Sequence, residues 1–272
     1  MQEEFRQYDY GARFYDPVIG RMTSMDRFSE KYMGNSPYEY GGDNPILNID
    51  MNGDSVIVSK TITQNKTVKK AFNAFASTKA GRKFLGKYAA KGQTIGGYTY
   101  TKSGKYNDKG IDVNYGAKNL GDNTVGGQTD ESVAKNGRAE IDVTINTQTR
   151  EGITSSSDDF FDKSSSFIHE SFLHVNMDTQ DFLDNGKFDN SNIDPSIRNN
   201  PLINKGDWQH IQVLRDFSNR GYYPGSSWPL EGIRALQEVN QNNNSGRTPG
   251  QILQQIWYYH GGLNLDTNGK VQ

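Results

Sequence analysis

The chain of 272 residues contains no cysteine. Disulfides and thiolate metal sites are thereby excluded, and any metal must be held by histidine, aspartate or glutamate. Histidine is itself scarce, at four residues. No apolar run approaches the roughly 18 residues that a membrane-spanning helix needs. No basic start leads into an apolar stretch, so the chain is expected to carry no signal peptide of its own. No glycine-rich phosphate loop, serine elbow or dinucleotide fingerprint is present either, which removes the common nucleotide-binding and serine-hydrolase classes. Only 33% of residues are hydrophobic and the mean hydropathy is -0.82. Yet 13 Phe, 15 Tyr and 3 Trp supply the bulk for a core in a loop-rich chain.

One absence is local. Between residues 55 and 107 there is no acidic side chain, while Lys60, Lys66, Lys69, Lys70, Lys79, Arg82, Lys83, Lys87, Lys91, Lys102 and Lys105 are all basic. The whole chain carries a net charge of -2, so the remainder is acidic. Such asymmetry fits a surface that meets an acidic partner: nucleic acid, an anionic membrane or an enclosing protein wall. The competing account is the solvated face of two amphipathic helices. Aromatics are not interleaved with these lysines, which argues against a base-stacking platform.

What is present in strength is a cluster of metal-ligand chemistry. Residues 169–174 read His169-Glu170-Ser171-Phe172-Leu173-His174 inside an apolar helical pattern. Two imidazoles beside a carboxylate are what a zinc hydrolase needs, two ligands and a general base. In a regular helix a residue at i+5 lies about 140° round the axis, so these histidines would diverge. They converge if one extra residue is absorbed, most simply by a π-bulge between Ser171 and Leu173. The third ligand is expected to be His210, within Asp207-Trp208-Gln209-His210, with Asp178 and Asp181 as alternatives. Glu170 would take a proton from the attacking water, and Tyr222 or Tyr223 would stabilise the developing charge. His260, before Gly261-Gly262, reads as a helix-end residue favoured by the dipole. Residues 178–189 look faintly like a calcium loop but lack the closing glutamate, and read better as a turn that caps the preceding helix. The spacing is similar to the His-Glu-x-x-x-His helix of the dipeptidyl peptidase III family of zinc peptidases, a likeness confined to His169, Glu170 and His174.

The pattern along the chain predicts an α+β fold. A strand over 55–59 precedes helices over 68–75 and 80–90, with Phe84, Leu85 and Tyr88 inward. Strands are expected at 94–101, 110–115 and 139–146, the last alternating apolar and polar residues. Helices are expected at 158–177, 207–219, 229–239 and 249–259. Ser156 or Ser157 would cap the first, and Thr248 before Pro249 the last. The strand at 139–146, which precedes the histidine helix, is placed as the substrate-binding edge strand of a zincin-like domain with a mostly helical C-terminal half.

The first 54 residues are aromatic and turn-rich, with a short helix expected at 28–33. Tyr10-Gly11-Ala12-Arg13-Phe14-Tyr15-Asp16-Pro17, Gly20-Arg21, Ser36-Pro37-Tyr38 and Asn44-Pro45 resemble the C-terminal end of the Rhs repeat-associated core of YD-repeat polymorphic toxins. In that family a β-strand cage encloses a variable toxin beginning just after the core. The resemblance implies a β-rich core remnant at 1–54 and a toxin domain at 55–272, divided into a basic helical segment (55–107) and a catalytic part (108–272). The family's core ends in Asp-Pro-x-Gly, where this chain reads Asp50-Met51-Asn52-Gly53; the missing proline weakens the case for self-cleavage there. The resemblance also implies the rest of an Rhs cage, a cognate immunity protein and delivery as a secreted effector into a competitor or host cell. The expected function is then a zinc-dependent peptide hydrolase acting on protein in a target cell. The alternatives are a nuclease toxin using His169 or His210 with the basic segment, and a non-enzymatic binding or pore-forming toxin.

Overall fold

The computed structural model describes residues 8–9, 13–25, 36–38, 58–135, 137–220 and 230–258. Most of the expected 55–59 strand, the helix at 28–33, Asn44-Pro45, the Asp50–Gly53 junction, Tyr222, Tyr223 and His260 lie outside them. The described residues form a mixed α+β structure with small sheets. Among them no helix is long and apolar enough to cross a membrane.

Near the N-terminus three short antiparallel strands, β1 (Tyr8–Asp9), β2 (Phe14–Asp16) and β3 (Arg21–Met22), form a meander. Three helices follow: α1 (Lys60–Gln64), α2 (Lys66–Ser77) and α3 (Lys79–Leu85). Each starts on a side-chain cap. Ser59, Asn65 and Thr78 accept from the backbone N–H of Thr61, Val68 and Gly81, satisfying donors that a helix start leaves free. The apolar stripe of α2 buries Val68, Ala71, Phe72 and Phe75, as the spacing predicts. The helix expected over 80–90 stops at Leu85. Tyr88 is nonetheless buried, with its hydroxyl 2.9 Å from Thr179.

A two-stranded hairpin, β4 (Thr94–Ile95) and β5 (Tyr98–Thr99), precedes the main sheet of β6 (Ile111–Lys118), β7 (Gly127–Val133) and β8 (Ala139–Asn146). Its order is β6-β8-β7, with β6 parallel and β7 antiparallel to β8. The outer edge of β6 is covered: Val58 bridges Tyr115 and the Thr61 hydroxyl accepts from Ala117 N–H at 2.9 Å. On one face β6 and β8 bury Ile111, Val113, Tyr115, Ala139, Ile141, Val143 and Ile145. The register sets Gly127, Thr129, Glu131 and Val133 of β7 opposite Ile145, Val143, Ile141 and Ala139, hence on that same helix-facing side. This corrects the expected strand roles: residues 139–146 are the centre of the sheet, and β7, a polar run that alternation does not flag, is its edge.

The central element is one long helical rod in three pieces. α4 (Ser156–His169) is regular, Glu170–Val175 is a π-turn, and α5 (Asn176–Asn185) resumes the α-helix. Its cap is Ser155, one residue before the expected serines, accepting from Asp158 N–H at 3.0 Å. Gly186, in the left-handed conformation at φ 68°, ends it. The rod packs against both α2 and the sheet, and its apolar side closes an aromatic core. Phe167 lies 5.3 Å from Phe72 and Phe172 5.1 Å from Phe84, centroid to centroid. A short helix α6 (Pro195–Arg198) and a single 3-10 turn (Lys205–Asp207) lead into α7 (Trp208–Arg220). Two more helices, α8 (Leu230–Asn242) and α9 (Pro249–Tyr258), complete the described part. α9 starts on the expected Thr248, whose backbone N–H donates to Gln251 Oε1 while its hydroxyl accepts from Gln251 N–H.

Candidate metal centre

The π-turn decides where the histidines point. Phe167 and Phe172 are five positions apart, as are His169 and His174. Both pairs converge, on opposite sides of the rod. Phe167 and Phe172 each reach Phe75, at 6.3 and 6.2 Å, while the imidazole centroids of His169 and His174 are 5.1 Å apart. A π-turn disturbs the backbone hydrogen-bond ladder, and nearby side chains meet it. Asn176 Nδ2 donates to the Phe172 carbonyl at 2.8 Å, and the Ser171 and Tyr115 hydroxyls bond at 2.8 Å. The π-turn spans Glu170–Val175 and contains the Ser171–Leu173 stretch where the spacing places the extra residue.

α7 delivers the third imidazole. His210 stacks on His169 at 5.2 Å between centroids and lies 4.8 Å from His174, edge to face. One ring nitrogen from each of the three lies within 4.8 Å of the others, and His169 Nε2 to His210 Nε2 is 3.2 Å. A tetrahedral ion with metal–nitrogen bonds of about 2.0–2.1 Å separates its ligands by about 3.3 Å, so the closest pair already matches. The three histidines together could hold a metal ion. His169 is buried, whereas His174 and His210 are half-buried and form the side open to solvent.

The outward nitrogens are held by carbonyl groups. His174 Nδ1–H donates to Gln209 Oε1 at 2.5 Å, and the Gln209 amide donates in turn to Asp178 Oδ1 at 2.5 Å. His210 Nδ1–H reaches the Gly206 carbonyl at 3.3 Å. With the proton on Nδ1, the Nε2 lone pair of each ring is left for a ligand role, the usual arrangement around metal-binding histidine. Desolvation by their surroundings pulls His174 down to about 4 and His210 to about 3, the latter helped by His174. Both are neutral at physiological pH, the state that binds metal.

Glu170 follows His169 on the rod and points under β7. The Thr129 hydroxyl donates to its Oε2 at 2.7 Å. A Cβ on Gly127 would meet Glu170 Cγ and Oε1 at 3.1 Å, so glycine leaves the carboxyl its space. Burial raises Glu170 to about 7, against weaker lowering by Thr129 and Arg150. That value suits a group that must both take and release a proton near neutrality.

The alternative ligands are placed elsewhere. Asp178 holds Gln209, one step behind His174, and burial pushes its carboxyl well up. Asp181 spends its oxygens on the backbone N–H groups of Asp189, Asn190 and Ser191, which ties the 186–191 turn back onto α5. That turn is the cap expected there, in place of a calcium loop. Thr129 and Gln209 were not singled out by the sequence. Thr129 sits in a strand without apolar alternation, and Gln209 is marked only by preceding His210.

Comparison with known proteins adds little. No family model matches the chain, and no solved structure matches it. A stretch of 57 residues is 46% identical to salivary gland surface protein 1 of Aedes aegypti, covering 21% of this chain and 2% of that protein. The site's chemistry therefore stands on its own geometry.

Proposed function

We propose that this chain is a zinc-dependent peptide hydrolase, the toxin part of an Rhs-type effector. The observation that carries the reading is the convergence of His169, His174 and His210, with the buried Glu170 carboxyl following His169 on the same rod. A three-histidine set leaves a fourth position open, as catalytic rather than structural zinc sites do. Bound there, zinc would polarise a carbonyl and make a water acidic enough to attack it. Glu170 accepts the proton of the attacking water and returns it to the leaving amine, with Thr129 fixing its orientation. β7, the antiparallel edge strand over Glu170, offers an extended substrate a row of backbone partners, which supports a zincin-like arrangement. The Rhs assignment rests on the Tyr10–Pro17, Gly20-Arg21, Ser36-Pro37-Tyr38 and Asn44-Pro45 pattern. It brings with it a cage, an immunity protein, delivery into a target cell and a protein substrate there.

The test incubates the purified chain with a protein mixture, RNA and DNA, with and without a chelator. Peptide-bond cleavage that the chelator stops and added zinc restores is the expected result. Chelator-insensitive cleavage of nucleic acid would replace this reading with a nuclease. Undiminished toxicity of Glu170→Gln would replace it with a binding toxin.

A further inference from the structure

A second surface lies at the other end of α4, about 20 Å along the helix from His169 at 1.5 Å per residue. Lys66, Lys69, Lys70 and Asn73 follow one another at helical spacing on the exposed side of α2. With Gly97 and Asn242 they line a groove of about 690 Å³. An adjoining hollow of about 300 Å³ shares Lys66 and Lys70 and reaches Ser156 and Ser157. Neither contains an acidic side chain. The nearest carboxylates on α4 are engaged elsewhere, Asp158 with Arg247 and Asp159 with Lys163. Among the described residues no ion pair holds Lys66 or Lys69.

We propose that this groove is an exosite for an acidic segment of a partner polypeptide, independent of the histidine centre. Two observations select a peptide over other polyanions. The groove offers lysines for carboxylates together with the exposed amides of Asn73 and Asn242, which both donate and accept. A peptide backbone presents both N–H and C=O, whereas a phosphodiester backbone only accepts. No aromatic residue lines the groove, and the one ring of the adjoining hollow, Phe160, is buried with the Lys70 ammonium 4.3 Å from its centroid, so no face is left for base stacking.

The experiment measures binding of a fluorescein-labelled dodecaglutamate peptide to the full chain, beside a single-stranded DNA dodecamer and phosphatidylserine vesicles. The peptide is expected to bind the wild type, more weakly as salt rises, and equally well with chelator or in His169→Ala. A Lys66→Glu, Lys69→Glu, Lys70→Glu variant with unchanged circular dichroism is expected to lose at least tenfold in affinity. Single Lys66→Gln and Lys69→Gln variants, each of which removes one charge without introducing a negative one, are expected to lose about threefold each. Unchanged peptide affinity in these variants overturns the proposal. So does DNA or vesicle binding through these lysines when the peptide does not bind.

Discussion

The two stretches of the central rod differ in one respect. In α4 every residue advances by the ordinary 100°, and from Phe160 to His169 the helix is buried on all sides. In the π-turn that follows, one extra residue is folded into the same length of rod, so partners five apart share a face. The regular half could carry an His-x-x-x-His pair; the distorted half carries an His-x-x-x-x-His pair and, with it, a phenylalanine pair of equal spacing on the core side. The core and the candidate site therefore depend on the same distortion.

Length changes inside the turn break the comparison most sharply. An alanine inserted after Ser171 moves both pairs to six apart, about 240° round a regular helix. Loss of the metal site and of the Phe172 contacts is expected, seen as a cooperative transition lost in circular dichroism and as no bound metal. Deleting Ser171 does the reverse. It leaves both pairs four apart on a regular helix, so the protein is expected to fold and still bind metal. A deletion variant that folds without metal would show that the π-turn is needed for more than register.

Phe172→Ala separates packing from ligation. It removes a fully buried ring and is expected to cost about 3–5 kcal/mol, read as a lowered Tm, while the folded fraction keeps its metal.

Glu170→Gln tests the chemistry. Peptidase activity should fall at least about 100-fold with metal content unchanged. The same variant has a stability signature. Because burial raises the folded carboxyl to about 7 from 4.5, the folded state keeps a proton that the unfolded chain releases between those values. Stability from this group is complete below pH 4.5 and is lost as pH rises through 7. Metal-free Glu170→Gln is therefore expected to melt above the wild type at pH 8, by roughly 1–3 kcal/mol, and alongside it at pH 4.

Smaller effects lie around the site. Gln209→Ala frees the His174 ring and strands Asp178, and is expected to weaken metal binding about 10–100-fold in a chelator competition. Thr129→Val removes a hydrogen bond that lowers Glu170, so the acid limb of the kcat/KM profile should move to higher pH. An unmoved limb would remove Glu170 from the role of base.

The rod and its histidines were legible because both rest on local rules. Apolar periodicity marked the helix, scarce histidines marked the ligands, and the five-residue spacing itself demanded a distortion. His210 was reachable by elimination, being one of four histidines. β7 was not legible, and the reason is functional. An edge strand whose inner face is Gly127, Thr129 and Glu131 gives its space to the Glu170 carboxyl and so lacks the apolar alternation that marks β8. Asp178 stands only as an alternative ligand in the sequence, on its place one turn past His174. Only the fold shows Gln209 between them.

Metal analysis of the purified protein decides the central claim. About one zinc per chain is expected in the wild type and in Glu170→Gln, and almost none in His169→Ala, His174→Ala or His210→Ala. A wild-type chain that takes up no divalent ion, or histidine variants that keep a full equivalent, would contradict it.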